Sequence, residues 1–97
     1  MLMLVIYDVS TVNAAGRRRL HRVAKVCENW GIRVQNSVFE CHVDSSQWVV
    51  LKSQLLSICE LATDSLRFYN LGNNYTGKTE HYGARETVDP KTDTLIV

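Results

Sequence analysis

A single proline and five glycines in 97 residues are too few for a collagen-like, repeat or low-complexity chain. Three cysteines, Cys27, Cys41 and Cys59, make an odd set with no C-x-x-C spacing, which argues against a disulfide framework and against a zinc site, and fits a reducing compartment. His21, His42 and His81 also lack ligand spacing, so no metal is assigned to them. No glycine-rich phosphate loop and no nucleophile elbow occurs, which removes the P-loop and α/β-hydrolase chemistries. The longest apolar run, Leu2 to Tyr7, stops at Asp8, far short of the roughly 18 to 20 residues that a membrane span needs. With no basic segment ahead of that run, the expectation is a cytoplasmic protein with no membrane partner.

The formal net charge of +1 conceals an uneven distribution. Residues 1–33 carry six basic and two acidic side chains, residues 34–66 one and four, and residues 67–97 four of each. A basic face can therefore come only from the first third of the chain. The length allows one domain, and so small a chain has a thin stability margin that self-association would widen.

The pattern along the chain has six elements. Leu2–Tyr7 reads as a central strand buried on both faces. From Ala14 to Trp30, Leu20, Val23, Ala24, Cys27 and Trp30 recur every three or four residues, with Asn13 as cap and Gly31 as stop, predicting an amphipathic helix. Alternation over Ile32 to Val43 predicts two strands joined by a turn at Gln35-Asn36-Ser37. Asp44 and Gln47 have the spacing of a capping box ahead of Trp48, Leu51, Leu55 and Ile58, which predicts a second helix ending near Glu60. Asp64–Leu71 alternates again and is closed by Gly72. The apolar end Thr94-Leu95-Ile96-Val97 would be a further strand added to a sheet edge.

This order predicts an α+β, ferredoxin-like β-α-β-β-α-β domain over residues 1–72, with 73–97 as a C-terminal segment. Both helices would cover one side of an antiparallel sheet. The other side, bearing some of Leu2, Leu4, Ile6 and Val38, would be an apolar patch too large for a monomer. A sheet-to-sheet homodimer follows.

Asp8 ends the first strand, where the sheet fixes a side chain that still reaches solvent. The plain alternative is that it only terminates the strand. Mg²⁺ takes one or two protein carboxylates and completes six oxygens with water and substrate phosphate, and a two-fold dimer that brought two copies of Asp8 together would supply them. Arg17, Arg18, Arg19 and Arg22 crowd the start of the first helix. Successive helical residues diverge by about 100°, so at most two or three can converge on a phosphate, and the plain alternative is that the whole run is a solvated helix face. Tyr7, Phe39 and Tyr69 read as core aromatics, and Ser37 to Val43 lacks the consensus of an RNA-recognition sheet.

Taken together, Leu4-Val5-Ile6-Tyr7-Asp8-Val9, Gly16-Arg17-Arg18-Arg19-Leu20 with Val23-Ala24-Lys25, and Arg33-Val34-Gln35-Asn36-Ser37-Val38-Phe39-Glu40 resemble the CRISPR-associated protein 2 family. Asp64 to Tyr69 resembles its fourth strand. The resemblance implies a ferredoxin-like homodimer whose last strand crosses to the partner sheet, with Asp8 in the place of the family's metal-binding aspartate. It implies a Mg²⁺- or Mn²⁺-dependent endonuclease acting on RNA or double-stranded DNA, and the central dimer of the spacer-acquisition complex, clamped by the CRISPR integrase. In the nuclease reading Arg17, Arg18 or Arg19, and with them Arg33, offset charge on the phosphate, while Tyr7 and Phe39 shape the cleft. In the scaffold reading the same arginines only hold duplex backbone. A toxin-like ribonuclease of similar fold is the third alternative.

Overall fold

In a computed structural model that describes residues 1–74, Gly77 and residues 80–83, the elements run β1 (Leu2–Asp8), α1 (Ala14–Trp30), β2 (Ile32–Gln35), β3 (Val38–His42), α2 (Ser45–Ile58) and β4 (Ser65–Asn70). The sheet order is β2-β3-β1-β4, with every neighbouring pair antiparallel. This is the ferredoxin-like α+β arrangement expected from the sequence, with β1 at its centre. The expected strand at 94–97, and most of the 73–97 segment, lie outside the described residues.

The two helix starts form as their sequences specify. Asn13 Oδ1 accepts from the Gly16 amide at 2.8 Å. Asp44 Oδ1 accepts from the Gln47 amide at 2.7 Å while Gln47 Oε1 accepts from the Asp44 amide at 2.9 Å. Each cap satisfies donors that the first helical turn leaves free. Gly16 is needed for a different reason, since a Cβ there would overlap the Ser10 carbonyl oxygen of the β1–α1 loop. Gly31 caps α1 in extended backbone, and a Cβ there would strike Glu40 and Cys41 of β3. It is thus a close-approach glycine, not a left-handed one.

The β1–β3 and β1–β4 registers pair Val5 with Phe39 and with Phe68, and Met3 with Cys41. Those side chains face the helices. There they meet Val23 and Cys27 of α1 and Leu51 and Leu55 of α2 in the buried core. Fully burying a side chain of that size contributes about 1.5 to 3 kcal/mol. Trp48 closes the α2 end edge-on against Phe68, with ring centroids 4.8 Å apart. Trp30 Nε1 donates to Gln54 Oε1 across the helix pair at 3.0 Å.

The expectation that β1 is buried on both faces needs correction. Met3, Val5 and Tyr7 are buried beneath the helices, but Leu4 and Ile6 on the opposite face are only half-buried. The reason is that both helices lie on one side and no described element packs on the other. The open face carries Leu4, Ile6, Val38 and Ile32, bordered by Glu40, Arg67, Tyr69 and Asp8. Leu2 is buried at its end of that face. In β2 an irregularity between Arg33 and Gln35 interrupts the simple alternation, and the turn is the two residues Asn36 and Ser37.

Candidate nucleic-acid interface

Asp8 is the last residue of β1, opposite Ser65 of β4, and exposed. Its place in the alternation puts it on the open face, in line with Leu4 and Ile6 and diagonal to Arg67. Among the described residues it makes no ion pair, and no group of three or more His, Cys, Asp or Glu side chains is positioned to hold a metal ion. One chain thus offers a single accessible carboxylate. That fits an oxygen-seeking divalent cation only as part of a donor set, to be completed by a second carboxylate, water or phosphate.

The arginines part company. Arg17, Arg18, His21 and Arg22, with Ala14, line a shallow cavity of about 520 Å³ on the outer face of α1. Arg18 and Arg22 are one helical turn apart and both exposed, spaced to follow a phosphate backbone. Arg19 turns the other way. Its Nε and Nη2 donate to Asp64 Oδ2 and Oδ1 at 2.9 and 3.2 Å, so its fork is engaged inside the protein.

Asp64 is the hub of that corner, a role the sequence did not signal. Its fully buried carboxylate also accepts from the Ser10 amide at 3.0 Å, the Glu60 amide at 2.9 Å and Thr63 Oγ1 at 3.2 Å. The Arg19 hydrogen bond, against the opposing effect of burial, holds the Asp64 carboxyl far below the usual carboxylate range. The same contact raises the Arg19 guanidinium. Ser10 belongs to the loop that follows Asp8, so this hub fixes the chain on the exit side of the candidate carboxylate.

Tyr7, Phe39 and Arg33 gather on the helix side of the sheet, away from Asp8. Phe39 is fully buried, and its ring lies 6.2 Å from that of Tyr7 and 5.1 Å from the Arg33 guanidinium carbon. Burial pushes the Tyr7 phenol above its ordinary value and keeps it a neutral hydroxyl. Tyr7 and Phe39 therefore support a groove over α1 and the β2–β3 turn, not the surface around Asp8. His21, Asn36, Ser37 and, on the open face, Arg67 complete these surfaces. Sequence reasoning gave none of these four a place at the interface, treating His21 as a histidine without ligand spacing and Asn36 and Ser37 as a turn. The strict alternation of Leu66, Arg67, Phe68 and Tyr69 was the available signal for Arg67. Burial pushes the Cys27 and Cys41 thiols up to about 12, so neither is a nucleophile at neutral pH.

Comparison with known proteins supplies the relatives. A family model described as CRISPR associated protein Cas2 matches residues 1–79. The CRISPR-associated endoribonuclease Cas2 of Chlorobaculum tepidum is 60% identical over 89 residues, covering 92% of this chain and 93% of that one. The CRISPR-associated endonuclease Cas2 of Halalkalibacterium halodurans is 55% identical over 89 residues, with the same coverage of 92% and 93%. Among solved structures, the crystal structure of Streptococcus pyogenes Cas2 at pH 6.5 is similar with a TM-score of 0.76 at 51% identity, covering 86% of this chain and 100% of that one.

Proposed function

The chain belongs to the Cas2 family of CRISPR-associated proteins, and we propose that it is a metal-dependent endonuclease that works as a homodimer closed across the open sheet face. The observation that carries this reading is the position of Asp8, exposed and without an ion-pair partner among the described residues, at the rim of a half-buried apolar surface. Two copies facing each other would cover Leu4, Ile6 and Val38 and bring two Asp8 carboxylates to one place. Together they would hold Mg²⁺ or Mn²⁺, which supplies Lewis-acid polarisation of the phosphate and a water of lowered pKa. The chain's own part is to fix the carboxylate on a central strand, to anchor the following loop through Ser10 and Asp64, and to grip the phosphodiester backbone with cationic side chains.

The names of the relatives divide between endoribonuclease and endonuclease, so RNA and double-stranded DNA are both substrates to be tried. A second reading, a DNA-supporting subunit of the spacer-acquisition complex whose chemistry belongs to the CRISPR integrase, is favoured by one feature. The Arg18–Arg22 row lies on α1, across the sheet from the face that carries Asp8. In that role contacts go to backbone alone, and a dimer holding about six phosphates would show a log–log salt slope of roughly −5 on B-DNA.

Cleavage of duplex DNA and of single-stranded RNA, with Mg²⁺ or Mn²⁺ against EDTA, separates the two readings. Asp8→Asn should lower metal-dependent cleavage by about 100-fold or more, beyond what loss of an outer-shell partner costs, while duplex binding is retained. Metal-dependent cutting that survives in a folded Asp8→Asn dimer would remove Asp8 from the chemistry, and no cutting by the wild type would favour the scaffold.

A further inference from the structure

The open face of the sheet is not uniformly apolar. Leu4 and Ile6 of β1 run along its middle, with opposite charges on their two sides: Glu40 of β3 is paired with Leu4, and Arg67 of β4 is paired with Ile6. Residues paired across a ladder project to the same side of the sheet. Since β3 and β4 both neighbour β1, the two charges stand two strand spacings apart, about 9.5 Å. Arg67 is exposed and makes no ion pair among the described residues. Its Nη1 donates to Tyr69 Oη at 3.2 Å, and Tyr69 is itself paired with Leu4. That hydrogen bond draws the guanidinium toward the level of Leu4 and Glu40 and away from Asp8.

Aligned sheets pack face to face about 10 Å apart, with strand directions within about 30° of each other. Few two-fold arrangements of this face are then open. An axis across the strands puts the two Asp8 carboxylates at opposite ends of the interface. An axis along the strands between β1 and β3 sets β4 over β2 of the second copy. It lays Arg67 over Ile32, which is paired with Glu40 at that level, and leaves a cation on an apolar side chain. An axis along β1 sets Asp8 against Asp8 and packs Leu4 and Ile6 on their own copies. It also lays β3 of each copy over β4 of the other, so that Glu40 faces the partner's Arg67 twice in one dimer. The offset between them, two residues or about 6.8 Å along the strand, is narrowed by the turn of Arg67 toward Tyr69.

We propose that Glu40 and Arg67 form two symmetric ion pairs between copies of this chain, and that these pairs select the axis along β1, the arrangement in which the two Asp8 carboxylates meet. The proposal rests on the reading of the protein as a homodimer closed across this face, and it makes Glu40 and Arg67 positioning residues for a site in which they do not act. The apolar ridge supplies association without direction. Opposite charges fix the register and exclude arrangements that bring like charges together.

Sedimentation of the whole protein, with circular dichroism as the check on folding, reads the pairs through charge reversal. Glu40→Arg alone and Arg67→Glu alone should each weaken self-association about 100-fold, since each puts two like-charge contacts, roughly tenfold apiece, into the dimer. Mixed in equal amounts, the two variants should associate about as tightly as the wild type, because every contact between unlike copies is then Arg with Glu. Single variants that dimerise like the wild type overturn the pairs. A mixture that stays as weak as its components does the same, since it places both effects within one copy. If Glu40→Arg does not fold, Arg67→Glu, at an exposed position, decides alone by the strength of its self-association. Association and cleavage fail separately. A wild-type dimer indifferent to charge reversal ends this proposal and leaves the Asp8 site standing, whereas a wild type that obeys the reversals but does not cut overturns the nuclease reading alone. A monomeric wild type overturns both.

Discussion

The two faces of the sheet are built from adjacent residues of the same strands and are put to different uses. On the helix side, Val5, Tyr7, Phe39, Cys41 and Phe68 meet α1 and α2 and close the core. On the other, Leu4, Ile6 and Val38 stay half-buried, with Asp8, Arg67 and Tyr69 around them. Arg67 Nη1 donates to Tyr69 Oη at 3.2 Å, so even the polar border of the open face is organised. Because side chains alternate strictly along a strand, a shift of one residue separates a position that stabilises the monomer from one that is available to a partner or a metal ion. Tyr7 and Asp8 are the sharpest instance. Neighbours in sequence, they line a groove of about 370 Å³ on one face and present an exposed carboxylate on the other.

The largest effect expected from testing that division is on the covered face. Phe39→Ala removes the ring that packs among Val5, Tyr7 and Arg33, and should cost about 3 to 5 kcal/mol by urea unfolding. A cost below about 1 kcal/mol would mean that the core does not sit where the register puts it. Next comes the corner behind Asp8. Asp64→Ala leaves the Ser10 and Glu60 amides without their acceptor and should cost about 2 to 4 kcal/mol, one unsatisfied donor being worth about 1 to 3. The pH dependence carries a sign. The folded Asp64 carboxyl is depressed, so below the ordinary unfolded value, near 3.9, the unfolded chain binds a proton that the folded chain refuses. Its stabilisation is complete at neutral pH and falls away from about pH 4 downward, and a stability profile in which Asp64→Ala shows the same acid slope as wild type would contradict the hub. The smallest effect lies on the outer face of α1. Arg18→Gln with Arg22→Gln should leave stability unchanged, weaken duplex binding several-fold, and reduce the salt slope by about 0.9 for each phosphate contact removed. An unaltered slope would discard that row.

Those contrasts also explain what could be read before the fold was known. Short-range chemistry was legible: Asn13, Asp44 and Gln47 cap by contacts three residues away, and the apolar run that stops at Asp8 announces a strand end wherever it is placed. The open face was legible too, because two helices on one side leave the other uncovered. Long-range pairings were not. The ion pair of Arg19 with Asp64 spans 45 positions, and nothing in the run Arg17 to Arg22 distinguishes the arginine that turns inward from those that do not. Helical periodicity says that they diverge but not toward what. The bulge in β2 likewise leaves no local mark, and it sits beside Arg33, whose groove is assembled from α1, β1, β2 and a turn.

The central claim is that the working site is built from two copies across the open face, and Ile6→Asp tests it most directly. Ile6 is half-buried on that face, between Val38 and Arg67, so an added carboxylate disturbs association without entering the core. Sedimentation and metal-dependent cleavage would be measured on the same preparation, with circular dichroism as the check on folding. The account predicts a folded monomer that no longer cleaves. A folded monomer that cleaves at the wild-type rate, or a dimer that persists with aspartate at position 6, would contradict it.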